Sequence, residues 1–155
     1  MQNNSLDFDE ATFGEKLENI EYFERIAVYG IVINEEGKIA IIKTPRGYFL
    51  PGGGIEGSES HEQCLKREFM EETGYQITVE NYIGRSSLYH VSKTYRYSHG
   101  TGYFYFATLT QKKNNGIEED HKLIWLEPAE CINGLYLEHQ SWAVAKAMNI
   151  KRNSL

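Results

Sequence analysis

The sequence predicts a mixed α/β (α+β) fold in a single domain, on three observations. Runs of β-branched and aromatic residues alternate with glycine-containing turns, one segment carries helix start and stop signals at both ends, and an apolar-periodic stretch closes the chain. At 155 residues the length corresponds to one domain. Hydrophobic residues at 41% and charged residues at 25% are close to a globular average, which excludes wholesale disorder. A chain of this size buries on the order of 68–70% of its unfolded surface, enough for a core without disulfide staples.

Taken in order, residues 1–19 are polar and acidic and are expected as an arm outside a domain spanning 20–155. From Tyr22 to Ile33 the chain is rich in aromatic and β-branched residues and stops at Asn34-Glu35-Glu36-Gly37, a strand followed by a turn. Residues 38–43 read as the returning strand, closed by Pro45-Arg46-Gly47, after which Tyr48-Phe49-Leu50 runs into Pro51 and a glycine cluster. Ser60 with Gln63 three residues on is a capping box, and Thr73-Gly74 is a helix stop. Strands are expected at 76–83 and 103–109, separated by a polar stretch carrying Tyr, Ser and His, with a loop at 111–116. Residues 122–126 read as a last strand and 135–150 as a closing helix with Leu137, Trp142, Ala145 and Met148 on its apolar side.

Charge narrows the partners. Lys and Arg number 16 against 22 Asp and Glu, a net charge of −6, so neither a nucleic-acid duplex nor an anionic membrane is expected as the partner. A small phosphate ester would instead require a locally recruited cation, for which a divalent ion is the natural choice. Cys64 and Cys131 lack CxxC spacing and read as buried thiols of a cytoplasmic protein. The acidic first twenty residues are unlike a secretory signal, and no apolar run approaches the ~18 residues of a membrane span. The five histidines form no HxxxH or HExxH pair, so a zinc hydrolase has little support.

The most informative segment is 52–75, where carboxylates crowd one short helix. At 3.6 residues per turn Glu68, Glu71 and Glu72 fall on one face. Like charges at that spacing cost an isolated helix roughly 0.2–0.5 kcal/mol per pair, and a bound cation relieves them. Leu65 and Phe69 adjoin Glu68 and Glu72 on the helical wheel, placing these carboxylates at the edge of the buried face, where their need for a cation is greater. The glycines before the helix let backbone approach a ligand closely. Oxygen ligands of this kind suit Mg²⁺ or Mn²⁺. Gly52, Gly54 and Gly57 also satisfy G-x-G-x-x-G, but the acidic residue that a dinucleotide fold needs at the end of its second strand is missing, because Glu71 and Glu72 lie on the helix. No Gly-Lys-Ser/Thr follows, which excludes a P-loop.

Gly53, five residues, Glu59, seven residues, then Arg67-Glu68-Phe69-Met70-Glu71-Glu72-Thr73-Gly74-Tyr75 resembles the Nudix box, the pattern of the MutT-like hydrolases. Every fixed polar and glycine position of that pattern is met, and the departures are Phe69 and Tyr75 at two aliphatic positions. The resemblance implies an α/β/α sandwich around a mixed sheet and a hydrolase of nucleoside diphosphates linked to another moiety, using water and Mg²⁺ or Mn²⁺. It implies that Glu68, Glu71 and Glu72 bind metal with the carbonyl of Gly53, and that Glu59 and Arg67 form an ion pair supporting the loop. The metal would neutralise the diphosphate and activate water for in-line attack on phosphorus, and a nearby carboxylate would take the proton.

That base is either a box glutamate or one of Glu118, Glu119 and Asp120, with Glu119 favoured. Tyr48, Tyr89 and Tyr97, with Tyr95 between them, lie in or near loops where a ring could stack on a nucleobase. The substrate is expected to be a small nucleotide derivative: a nucleoside triphosphate, ADP-ribose, a nucleotide sugar or a dinucleoside polyphosphate. A non-catalytic nucleotide-sensing module and a diphosphate isomerase are the alternatives on the same fold. Edge strands and exposed aromatics would permit a homodimer.

Overall fold

The computed structural model describes residues 8–91 and 96–154. Its elements in order are β1 (Glu10–Phe13), β2 (Phe23–Ile31), β3 (Ile39–Thr44), β4 (Gly47–Phe49), β5 (Gly52–Gly54), α1 (His61–Thr73), β6 (Tyr75–Val91), β7 (Tyr97–Lys112), β8 (Lys122–Leu126), α2 (Pro128–Gly134) and α3 (Glu138–Asn153). Strands β1, β6, β7, β2 and β5 form a mixed sheet in that spatial order, in which β1 runs parallel to β6 and β2 parallel to β7. Strands β4, β3 and β8 form a second, antiparallel sheet.

The mixed sheet is covered on both faces. Leu65 and Phe69 of α1 pack with Val28, Val32, Ile77 and Ala107, whereas Trp142, Ala143, Val144 and Ala147 of α3 pack with Ala27, Tyr29, Ile83 and Phe104. Adjacent strand residues point to opposite faces, so Val28 and Tyr29 feed the two cores separately. Strand β3 does the same, with Ile39 and Ile41 on the α3 side and Ala40 on the α1 side. A sheet buried on both sides reads as a continuous apolar run, which is why 27–32 and 39–42 stand out in the sequence. No described helix is long and apolar enough to cross a membrane.

Helix α1 begins and ends where its signals lie. Ser60 Oγ accepts from the Gln63 amide at 3.1 Å, and the Gln63 side chain accepts from the Ser60 amide at 2.9 Å. Gly74 closes the helix at φ +76° and donates to Met70 O.

Three expectations are corrected. Glu10–Phe13 is not part of a loose arm: it pairs in parallel with Arg85–Leu88 as the edge strand, its backbone donors and acceptors having found a partner that local sequence cannot show. The polar stretch between 83 and 103 is no connection, because both β6 and β7 run through it and pair antiparallel out to Val91 and Tyr97. Its buried hydroxyls are satisfied, Ser86 Oγ donating to His139 O at 2.8 Å, and this allows polar residues inside a sheet. The closing segment is two helices, with Leu135 and Leu137 in the link between them and the buried face of α3 formed by Trp142, Ala143, Val144 and Ala147.

Candidate active site

Strand β5 pairs antiparallel with β2, setting Gly54 opposite Ala27, Gly53 opposite Val28 and Gly52 opposite Tyr29. The glycine loop is therefore stitched to the sheet directly beneath the carboxylate face of α1. Two of its glycines are required for different reasons. Gly52 sits at φ +139°, and a Cβ there would lie 2.1 Å from Val28 O. A Cβ on Gly53 would meet Glu68 Oε1 at 2.6 Å, so the Glu68 carboxylate rests against the Gly53 backbone.

The three helix carboxylates share a face but not an environment. Glu72 is 6% exposed, accepts from the Gly52 amide at 2.8 Å and meets His121 Nδ1 at 3.2 Å. Burial pushes its carboxyl up to about 8, against the lowering effect of the Gly52 amide. Glu68 is half-buried and is likewise raised, chiefly by burial, although Arg67 opposes the shift. Glu71 stands at the rim, held by Arg67 Nη1 at 3.2 Å.

Arg67 is the hub of the loop. Its Nε and Nη2 meet the two oxygens of Glu59 at 2.7 and 2.9 Å, Nη2 also donates to Gly54 O at 3.0 Å, and Nη1 reaches Glu68 Oε1 at 3.0 Å. The guanidinium holds the Glu59 carboxyl down at about 2. One planar fork thus ties the loop to the helix and balances two of its three carboxylates.

The donor set is chemically that of a hard divalent cation: carboxylates of Glu68, Glu71 and Glu72 beside the Gly53 carbonyl. Two of these carboxyls are desolvated and raised, and a cation would relieve that cost. Among the described residues no three acidic, His or Cys side chains stand at metal-ligand spacing. Glu68 and Glu71 are turned onto Arg67, and rotation of these flexible side chains is what convergence on an ion requires. Cys64, behind the loop, is a free buried thiol pushed up to about 11 by burial, and Cys131 is the same.

A cavity of about 680 Å³ opens from this loop, within the range for a small-molecule site. Gly52, Gly53 and Glu72 form one wall with Asp120 and His121, while Ala27 and Tyr29 of β2, Leu50 between β4 and β5, and His139 at the start of α3 also line it. The segment 113–121 reaches the cavity because its backbone caps the C-terminal turn of α1: the Ile117 amide donates to Glu71 O at 2.9 Å and that of Lys113 to Gly74 O at 2.8 Å. Glu119 and Asp120 are both exposed, and of the two it is Asp120 that lines the cavity.

The tyrosines singled out by composition are elsewhere. Tyr48 is paired with Leu135 and packs under α2. Tyr89 stacks on His99 at 4.1 Å, and Tyr89 and Tyr97 both meet the edge of Tyr22. Tyr95 lies outside the described residues. The aromatic rings at the cavity are instead Phe23, Phe49 and Tyr136, with Tyr29 deeper in. Tyr136, 57% exposed, sits in the link between α2 and α3, where no local pattern distinguishes it from packing.

A family model described as NUDIX domain matches residues 23–146. The MutT-like protein of Streptomyces ambofaciens is 38% identical over 61 residues, covering 38% of this chain and 40% of that protein. Nudix hydrolase 18, mitochondrial, of Arabidopsis thaliana is 28% identical over 124 residues, covering 76% of this chain and 65% of its own length. The chain thus spans less than two thirds of the length of either relative. Among solved structures, a NUDIX hydrolase from Nitrosomonas europaea superposes with a TM-score of 0.71 at 16% identity, over 83% of this chain and 91% of that one, a likeness of fold.

Proposed function

The chain belongs to the Nudix hydrolase family, and from that membership and the geometry of the glycine loop we propose that it is a divalent-metal-dependent pyrophosphohydrolase cleaving a nucleoside diphosphate linked to another moiety. The observation that carries the reading is the contact of the Glu68 carboxylate with the Gly53 backbone beside the buried, Gly52-bonded Glu72. Glu68, Glu71, Glu72 and the Gly53 carbonyl would hold Mg²⁺ or Mn²⁺. When bound, such an ion supplies charge neutralisation of the diphosphate and a water of lowered pKa.

The residues of the chain do the rest. The Gly52 amide orients Glu72 and leaves its second oxygen towards His121. Arg67, bidentate on Glu59 and bonded to Gly54 O, keeps the loop in place while Glu68 and Glu71 turn inward. Asp120, which lines the cavity, would be the loop carboxylate that accepts the proton of the attacking water, the role expected of Glu119. The cavity admits a nucleotide, and its exposed rings Phe23 and Tyr136 offer faces for a base. A pure sensor would gain nothing from keeping three costly like charges on one helix face.

The test is phosphate release across nucleoside triphosphates, ADP-ribose, nucleotide sugars and dinucleoside polyphosphates, with and without Mg²⁺ or Mn²⁺. Metal-dependent turnover is expected, falling at least ~10²-fold in Glu72→Gln, which keeps the acceptor for Gly52 but removes a ligand charge. Undiminished turnover in Glu72→Gln places the chemistry elsewhere. Silence across the panel with a Mg²⁺-raised Tm favours the sensing module.

A further inference from the structure

We propose that the cavity contains an anion subsite, formed by Arg25 and Arg46 with Arg96 at the rim, for a negatively charged group of the substrate outside the hydrolysed diphosphate; it rests on the hydrolase reading above. All three arginines line the cavity that Gly53 and Glu72 also line. Among the described residues none has a carboxylate within ion-pair distance, whereas Arg67 and Arg85 are paired. In a chain of net charge −6 acidic partners are abundant, yet these three guanidinium groups around one cavity form no ion pair with a described carboxylate, Arg25 instead hydrogen-bonding the Tyr29 hydroxyl. All three are exposed at the cavity mouth, where their positive potential attracts an anion.

Geometry holds them there. Arg46 lies over both Phe49 and Tyr136, 5.7 Å from each ring centroid, and Arg96 lies 4.7 Å from the centroid of Phe23. Stacking orients a guanidinium without using its N–H donors, which stay available for paired phosphate oxygens. Arg25 lies over the glycine loop, its Nε 3.4 Å from where a Gly54 Cβ would stand. The field is felt nearby: His90 is pushed down by burial and further by Arg25 and Arg46.

Spacing along β2 identifies the ligand class. Gly54 pairs with Ala27, so Phe23, with Arg96 stacked on it, is four residues further along the strand, roughly 13 Å at ~3.3 Å per residue, while the Arg25 guanidinium reaches back over Gly54. The charged group therefore sits beyond the diphosphate at the metal end. Nucleoside triphosphates, dinucleoside polyphosphates and phosphorylated ribose derivatives carry such a group, whereas nucleotide sugars with a neutral second moiety do not.

The experiment compares wild type, Arg46→Gln and Arg25→Gln in two ways, with circular dichroism checking that each variant folds. The first is the ratio of kcat/KM for ATP and diadenosine tetraphosphate to that for ADP-ribose and UDP-glucose, in Mg²⁺. The second is binding of inorganic tripolyphosphate in EDTA by calorimetry. The ratio is expected to fall at least tenfold in each variant, and tripolyphosphate binding to weaken at least tenfold. An unmoved ratio, or tripolyphosphate binding independent of both arginines, overturns the subsite. Wild type inactive on every substrate overturns the hydrolase reading alone, and arginine-dependent tripolyphosphate binding then still decides the subsite.

Discussion

Gly52 and Gly53 are neighbours with opposite sensitivities. Ala at Gly52 would force a side chain onto Val28 O, a backbone atom of the central sheet, from a backbone angle of +139°. Gly52→Ala should therefore lose stability, by more than the ~1 kcal/mol of an ordinary glycine exchange, seen as a lowered denaturation midpoint. At Gly53 the obstruction is the end of the flexible Glu68 side chain. Gly53→Ala should keep its Tm within a few degrees and weaken Mn²⁺ binding by calorimetry about 10- to 100-fold, because the displaced carboxylate no longer meets its carbonyl partner. Equal loss of stability in both variants would show that Gly53 serves the fold and not the site. In the sequence both are members of one glycine run, and the difference between them is a matter of what lies opposite.

At the scale of elements the site is a junction of β5, α1 and the 113–121 segment, held by Arg67 and by the capped end of α1. Arg67→Lys keeps a positive charge but cannot reproduce the two bonds to Glu59 while reaching Gly54 O. The expected outcome is faster amide exchange between residues 54 and 59 and metal affinity lower by about 10- to 100-fold, with the sheets unaffected. Exchange unchanged there would mean that β5 pairing alone secures the loop. Helix α1 was legible because its start, stop and charge pattern are local. The continuation of β6 and β7 through a polar stretch was not, since Ser86 and Ser87 are acceptable inside a sheet only through the Ser86 bond to His139 O and the Ser87 contact with Thr12 Oγ1, 53 and 75 residues away.

For the whole molecule, His139 couples α3 to the sheet and makes global stability depend on pH. It is 4% exposed, flanked edge-on by Tyr29 and Phe104, and burial, with His90 and Arg25 adding to it, pushes its imidazole down to about 4. The unfolded chain binds a proton near 6.5, so between 6.5 and 4 it holds more protons than the folded one and stability falls as pH falls. The separation between 6.5 and about 4 corresponds to about 3 kcal/mol, lost progressively across that window. In His139→Gln, urea midpoints should decline less between pH 7 and pH 4 than in wild type, and parallel curves would show that the imidazole titrates normally. The sequence by itself determined the elements whose cause is local: the capped carboxylate helix, the apolar strands, the glycine loop and, through its spacing, the family. Only the tertiary structure decided which aromatic rings and cations face the cavity, that Asp120 and not Glu119 reaches it, and that Glu10–Phe13 completes the sheet. Each of those depends on contacts between residues far apart in the chain, and their energy enters only when the cores on the two faces of the sheet close.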